Sequence, residues 1–110
     1  MPTIVITGAT AGIGRAAAIL LAGRGHTVFA AGRNAEALAA LGRAHDNMQP
    51  LALDVTRSDS VADAARQVHD ALGGDAPDVL VNNAGYALTG PLEALPDADW
   101  EQQYQTNVLG

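Results

Sequence analysis

Three short motifs of this chain contain residues that could do chemistry. The first is TGATAGIG at Thr7–Gly14, which lies between an apolar run and a stretch rich in alanine and leucine. Its glycines permit a tight turn and let the backbone approach a ligand without an intervening Cβ. A helix that begins here would offer unpaired N–H groups and a partial positive charge. The motif therefore predicts a cradle for a pyrophosphate, although similar turns also close strand–helix connections that bind nothing.

The other two motifs contain asparagine. NNAG occupies Asn82–Gly85 directly after the apolar run Val79–Val81, and Asn107 lies in TNVLG at Thr106–Gly110. Gly85 could be a plain turn residue, and Asn107 could be a solvent-facing residue in the middle of a helix. Whether these motifs belong to one site therefore depends on the strands and helices that position them.

Apolar runs and helical patterns alternate along the chain and predict strands and helices in turn. Strands are predicted at Thr3–Thr7, His26–Ala31, Pro50–Val55 and Val79–Val81. Helices are predicted from the glycine turn to Gly23–Gly25, over Ala35–Arg43, from a Ser58 cap to Leu72, and from Asp97 or Asp99 to Gly110. A loop with a short helical turn after Pro91 is expected over Tyr86–Pro96. The expected inward positions are Ile13, Ala16, Ala17, Leu20 and Leu21 in the first helix, Leu38 and Leu41 in the second, and Val61, Ala64, Ala65, Val68 and Leu72 in the third.

Strands separated by helices imply right-handed crossovers and a parallel sheet, most simply in the order 3-2-1-4. We therefore expect an α/β fold, a Rossmann-type doubly wound sheet in a truncated three-layer α/β/α arrangement. Ligands of such sheets bind at the carboxyl ends of strands 1 and 4, where the glycine turn and Asn82–Gly85 both lie. A bare α/β interaction domain is the alternative, and it leaves this shared placement of the two turns unexplained.

Composition narrows the classes of function. The chain has 110 residues, a formal net charge of −6 and no cysteine. The negative charge argues against nucleic-acid binding, and the lack of cysteine excludes disulfides and thiolate metal sites. The longest apolar run, Ala16–Ala22, is too short to span a bilayer. We expect a soluble, cytoplasmic protein that binds neither nucleic acid nor membrane.

In their order, separations and predicted contexts, the three motifs resemble those of the classical short-chain dehydrogenase/reductase family, and the resemblance covers the whole chain. It implies that residues 1–110 form a domain that binds a nicotinamide dinucleotide. The residues that would surround the pyrophosphate and adenosine ribose are Gly8, Thr10, Ala11, Gly12, Ile13 and Gly14. Those that would lie along the nicotinamide ribose are Asn83, Ala84 and Gly85, while Asn82 would tie neighbouring strands together.

The same resemblance gives Asp54 and Val55 roles at the adenine. Asp54 would accept a hydrogen bond from the adenine amino group, and Val55 would pack on the ring. The alternative for Asp54 is a turn carboxylate that bonds to the local backbone.

Cofactor preference is predicted from the end of the second strand. Members that prefer NAD carry a carboxylate there, whereas this chain reads AAGRN and offers Arg33 and Asn34. A guanidinium can bind the 2′-phosphate through a planar, permanently charged fork. We therefore expect NADP(H) as the cofactor, the alternative being that Arg33 only solvates the start of the next helix.

The family's reaction is hydride transfer between nicotinamide and a carbonyl or alcohol carbon, assisted by a Ser, a Tyr-x-x-x-Lys pair and an Asn that holds a water. Only the Asn has a counterpart, Asn107, because all six basic residues of the chain are arginines. Tyr86 is followed four residues later by Gly90, and Tyr104 by Val108. We therefore expect the chain alone to be inactive. It would be either the N-terminal, cofactor-binding part of an oxidoreductase or a non-catalytic module that binds NADP(H).

The resemblance also bears on substrate and partners. The loop Tyr86–Glu93 is similar to that of members acting on apolar carbonyls or alcohols, which makes an apolar small molecule the expected substrate. A homo-oligomer is expected for the full-length protein, because intact members often associate through the helix that begins near Asp97 and the one after it.

Overall fold

A computed structural model describes the backbone of residues 1–110 and every side chain except that of Leu92. The strands are β1 (Thr3–Ile6), β2 (Thr27–Gly32), β3 (Met48–Ala52) and β4 (Val79–Val81). The helices are α1 (Gly12–Gly23), α2 (Ala35–Ala44), α3 (Ser58–Ala71) and α4 (Asp97–Tyr104), with a 3₁₀ turn at Leu92–Ala94 and a π-helical turn at Gln105–Leu109.

The strands form one parallel sheet in the order β3-β2-β1-β4. This order confirms the predicted Rossmann-type topology. The glycine turn leaves β1 and the Asn82–Gly85 turn leaves β4, and the two strands are neighbours with Ile6 opposite Val81. Both turns therefore lie side by side at the carboxyl edge of the sheet.

Helices cover both faces of the sheet. Side chains of a strand alternate between its faces, so Ile4 and Ile6 of β1 pack with the residues of α1 and α2, whereas Val5 packs with those of α3. The buried strands read as continuous apolar runs because neither face meets water. Leu38 and Leu41 of α2 are buried, as predicted.

The predicted inward face of α1 is wrong in part. Its buried residues are Gly14, Ala18 and Ala22, while Ile13 is 83% exposed and Leu20 is 55% exposed. Small residues at a spacing of four let the helix lie close to the sheet. Of the other residues predicted to face inward, Ala16 is exposed and Ala17 and Leu21 are partly buried. In α3, Ala64 and Val68 are buried, Leu72 is partly buried, and Val61 and Ala65 are exposed.

Two local predictions around β3 are also wrong. The strand begins at Met48 and ends at Ala52, so Pro50 lies inside it; β3 pairs only with β2 among the described strands, and an edge strand tolerates the missing N–H. Ser58 does not cap α3, because the N-cap residue is Arg57, with no side-chain cap. The nearby hydroxyl that bonds to the backbone is that of Ser60, whose Oγ accepts from the Asp54 N–H at 2.9 Å.

Among the described residues, no helix has the length and apolar character that crossing a membrane requires.

Candidate functional site

A cleft of about 640 Å³ lies at the carboxyl edge of the sheet. Its walls come from the glycine turn, the ends of β2 and β3, the turn after β4, and the π-helical turn. The lining residues are Thr7, Gly8, Thr10, Ala11, Gly12, Ile13, Ala31, Gly32, Arg33, Asn34, Leu53, Asp54, Val55, Thr56, Asn83, Ala84, Gly85, Tyr86 and Thr106. The fold therefore brings every residue predicted to contact the cofactor to this cleft, with the exception of Gly14.

The glycine turn needs its glycines for two different reasons. Gly8 and Gly12 have φ angles of +65° and +57°, in the left-handed region that other residues rarely adopt. Gly14 is buried, and a Cβ there would overlap the Gly8 carbonyl oxygen and Asn83 Nδ2. Gly14 therefore lies beneath the turn and supports it rather than lining the cleft.

Thr7 and Asn83 join the two turns. The buried Thr7 hydroxyl accepts from the backbone N–H groups of Asn83 and Ala84, both at 3.0 Å. In return, Asn83 Nδ2 donates to the carbonyl oxygens of Thr7 at 3.1 Å and Gly8 at 3.2 Å. The asparagine side chain that ties the strands is thus that of Asn83, and the prediction that gave this role to Asn82, which is exposed, is wrong.

Sequence reasoning did not assign a role to the Thr7 side chain. The available signal was a hydroxyl residue at the end of a buried strand, directly before the glycine turn. Tyr86 and Thr106 were also absent from the predicted site, although both line the cleft.

The end of β2 forms the side of the cleft that carries positive charge. Arg33 and Asn34 are exposed and line the cleft. Asn34 also caps α2, since its Oδ1 accepts from the Ala37 N–H at 3.1 Å. This bond occupies the amide oxygen and leaves the NH₂ group of Asn34 as the donor suited to an anion.

Asp54 forms a local turn while lining the same cleft. Its Oδ1 accepts from the Thr56 hydroxyl at 2.6 Å and from the Thr56 N–H at 3.0 Å. These two bonds hold the pKa of Asp54 below its ordinary value, with smaller contributions in the same direction from Arg33 and Arg57. The geometry thus matches the alternative of a turn carboxylate, and it does so at a position that a bound molecule could also reach.

Asn107 forms a bridge to the loop after β4. Its Oδ1 accepts from the Tyr86 N–H at 2.9 Å, and its Nδ2 donates to the Tyr86 carbonyl oxygen at 2.6 Å. Asn107 itself does not line the cleft, whereas Tyr86 and the neighbouring Thr106 do. The side chain is therefore engaged by backbone rather than only solvent-facing, and it fixes one wall of the cleft.

The parallel sheet in the order β3-β2-β1-β4, with a glycine turn after β1 and a cleft at its carboxyl edge, defines a Rossmann-type fold. The sequence model of the short chain dehydrogenase family matches residues 2–110 of this chain. The chain therefore belongs to the short-chain dehydrogenase family, whose members are oxidoreductases that bind a nicotinamide cofactor.

Similar proteins are found among both curated sequences and solved structures. The chain is 39% identical over 110 residues to serine 3-dehydrogenase from Rhizobium radiobacter, covering 98% of this chain and 43% of the relative. It is 36% identical over 110 residues to the oxidoreductase calM from Penicillium decumbens, covering 98% and 36%. A closed serine dehydrogenase in complex with NADP⁺ matches with a TM-score of 0.86 and 33% identity, covering 97% of this chain and 43% of that one. The chain thus spans less than half the length of these relatives.

Proposed function

We propose that this chain is the NADP(H)-binding domain of an oxidoreductase that transfers a hydride to or from a carbonyl or alcohol carbon. The observation that carries the proposal is the pairing of the two turns by Thr7 and Asn83 at the edge of one cleft. Because these bonds fix the turns relative to each other, residues of both turns line one cleft and can contact the same bound molecule.

In this proposal, each part of the cleft would hold a different part of the cofactor. Gly8, Gly12 and the start of α1 would hold the pyrophosphate, since α1 offers N–H groups at its first turn and has no acidic residue there. Arg33 and Asp54 would lie at the adenosine, and the turn residues Asn83–Gly85 would lie along the nicotinamide ribose. When bound, the nicotinamide supplies or takes the hydride, and this chain's own residues bind and orient it.

The choice of NADP(H) over NAD(H) rests on Arg33. It is exposed at the cleft, and the end of β2 carries no carboxylate that would repel a 2′-phosphate. The NADP⁺ complex of the similar serine dehydrogenase supports the same choice.

Asn107 is proposed as the member of the catalytic set that this chain supplies. Both polar atoms of its carboxamide already bond to the Tyr86 backbone. If Asn107 takes part in holding a water, its backbone carbonyl, the remaining lone pair of Oδ1 or the second hydrogen of Nδ2 must serve. The side chain itself acts as a positioning group for the wall at Tyr86.

Catalytic turnover requires a proton-transferring group that residues 1–110 do not contain. The sequence holds no lysine, so it contains no Tyr-x-x-x-Lys pair to move the proton. We expect the 110-residue chain alone to bind cofactor without reducing carbonyls. The second candidate, a non-catalytic NADP(H)-binding module, makes the same binding prediction and differs in denying activity to the full-length protein.

We extend the proposal to the substrate, the partner and the cellular location of the full-length protein. The exposed apolar side chains of Tyr86 and Leu88 in the loop after β4 support a small apolar carbonyl or alcohol as substrate. Three apolar side chains of α4 and the π-helical turn after it are exposed at intervals of four residues: Trp100, Tyr104 and Val108. Their exposure supports homo-oligomerisation of the full-length protein through α4. A cytoplasmic location is proposed from the lack of cysteine.

Equilibrium titration tests the binding part of the proposal. We expect saturable binding of NADPH to the native chain, measured by calorimetry or by quenching of Trp100 fluorescence. Absence of binding by both NADPH and NADH would reject the proposed function.

A further inference from the structure

A second cleft, of about 410 Å³, adjoins the cofactor cleft on the side of α4. The two clefts share Arg33, Asp54, Thr56 and Thr106. The remaining wall of the second cleft consists of Ala98, Glu101, Gln102 and Gln105, from α4 and the turn that follows it. Arg33 therefore lines both clefts, and it shares the second one with the α4 residue Glu101.

The residues that line the second cleft carry more negative than positive charge. Arg33 is the cation, and Asp54 and Glu101 are the carboxylates that line the same second cleft. The ion pairs among the described residues join Arg57 with Asp59 and Arg66 with Asp63, so Arg33 belongs to none of them. An anion at Arg33 is therefore attracted by one guanidinium and repelled by two carboxylates.

We propose that Glu101 weakens the preference of this protein for NADPH over NADH, a role for α4 in cofactor selection. The inference rests on the proposed function and goes beyond it, because Glu101 lies outside the residues that line the cofactor cleft itself. NADPH differs from NADH by the 2′-phosphate, a group that carries close to two negative charges at neutral pH. Repulsion from Glu101 therefore acts on the phosphate, whereas contacts with the shared parts of both cofactors cancel in the ratio of their dissociation constants.

The test compares the dissociation constants of NADPH and NADH for the native chain and Glu101→Gln. The substitution removes one charge while keeping the shape of the side chain, and Glu101 is exposed, so folding should be preserved. We expect NADPH to bind several-fold more tightly and NADH to bind as before at low ionic strength. The gain in NADPH affinity should be smaller in about 0.5 M salt, because dissolved ions screen the repulsion between the Glu101 carboxylate and the 2′-phosphate.

A matched control is Glu93→Gln. Glu93 is also exposed and lies on the 3₁₀ turn, outside the residues that line either cleft. Glu93→Gln removes the same net charge from the chain as Glu101→Gln. An effect of overall charge on cofactor affinity would therefore appear in both variants, whereas an effect of the charge in the second cleft would appear only in Glu101→Gln.

Three results would overturn the inference. An unchanged ratio in Glu101→Gln means that its charge does not reach the phosphate. An equal loss of affinity for both cofactors means that Glu101 instead contacts their common adenosine. Failure of the native chain to bind either cofactor rejects the proposed function together with this inference, whereas an unchanged ratio with intact NADPH binding rejects this inference alone.

Discussion

Thr7 and Asn83 bind each other from both directions: the Thr7 hydroxyl accepts from the Asn83 N–H at 3.0 Å, and Asn83 Nδ2 donates to the Thr7 carbonyl oxygen at 3.1 Å. Thr7 directly follows β1 and Asn83 lies two residues after β4, so the pair joins the carboxyl ends of two neighbouring strands. The cleft above them keeps its shape because its two glycine-containing turns are bonded to each other rather than only to their own strands.

Replacing Thr7 by valine keeps the shape of the side chain and removes its hydroxyl. The backbone N–H groups of Asn83 and Ala84 then lose their acceptor, and a buried unsatisfied donor costs about 1–3 kcal/mol. We expect Thr7→Val to lower the free energy of unfolding by about 2 kcal/mol or more on this basis, measured by urea denaturation. Thr7→Ser retains the acceptor and serves as the control. Equal stability of the two variants would contradict the role of the hydroxyl.

Gly14→Ala should destabilise the chain although alanine is the better helix former. The new Cβ would overlap Gly8 O and Asn83 Nδ2, and overpacking of this kind costs about 1–3 kcal/mol. The control is Gly23→Ala at the other end of α1, where a Cβ meets nothing within 4 Å. There we expect no loss, or a gain of up to about 1 kcal/mol from helix propensity. Thermal unfolding of the two variants distinguishes the outcomes, and a Gly14→Ala variant as stable as native would refute the close packing.

Arg33→Ala should weaken NADPH binding roughly ten- to a hundredfold, because one charged hydrogen bond contributes about 1.5–3 kcal/mol. NADH binding should change little. The control, Arg24→Ala, removes the same charge just after the C-terminal end of α1, at the opposite edge of the sheet. Paired titrations with both cofactors provide the measurement. Equal affinities for NADPH and NADH that Arg33→Ala leaves unchanged would exclude the predicted role.

Asn107→Ala should release the backbone of Tyr86. Both its N–H and its carbonyl oxygen lose their partner, so hydrogen exchange at the Tyr86 amide should accelerate. Gln103→Ala gives a matched comparison, since Gln103 Oε1 accepts from the Leu88 N–H at 3.0 Å. Faster exchange should follow at Tyr86 in the first variant and at Leu88 in the second. Unchanged exchange at Tyr86 in Asn107→Ala would contradict the bridge.

The hydrogen bonds of Asp78 should make the stability of the fold depend on pH. Its carboxylate accepts from the Thr3 N–H at 2.8 Å and the Thr3 hydroxyl at 3.1 Å, and these bonds lower its pKa. A carboxyl with a lowered folded-state pKa stabilises the fold above its unfolded pKa, about 3.9, and loses this contribution as pH falls through the folded value. Asp78→Asn should therefore show a smaller loss of stability between about pH 7 and about pH 3 than the native chain. Denaturant midpoints at the two pH values measure this, and identical losses would rule out the contribution.

The sequence was sufficient for the topology and for the position of the cleft. Alternating strand and helix patterns predict a parallel sheet whose simplest order is 3-2-1-4, and in that order the carboxyl ends of β1 and β4 meet. This is why Gly8 and Asn83, far apart in the chain, could be predicted to face one site.

Finer orientation could not be predicted, because it depends on packing and on turn geometry. Every residue from Ala16 to Ala22 is apolar, so helical periodicity alone does not distinguish the buried face of α1 from the exposed face that carries Leu20. Asn82 and Asn83 are adjacent and chemically identical, and only the backbone path after β4 decides which one reaches Thr7. The approach of α4 to Arg33 depends on a loop whose course has no periodic signal.

Hydrogen exchange of the native chain with and without NADPH tests whether the cofactor binds in the cleft, because it reports both that binding occurs and which residues it protects. We expect slower exchange in the glycine turn, Gly8–Gly14, and in the residues Asn83–Tyr86 after β4 when NADPH is present. We expect unchanged exchange at the opposite edge of the sheet, at Gly23–His26 and Asp75–Asp78. Saturating NADPH that leaves both turns unprotected, or that protects only the opposite edge, would rule out cofactor binding in this cleft.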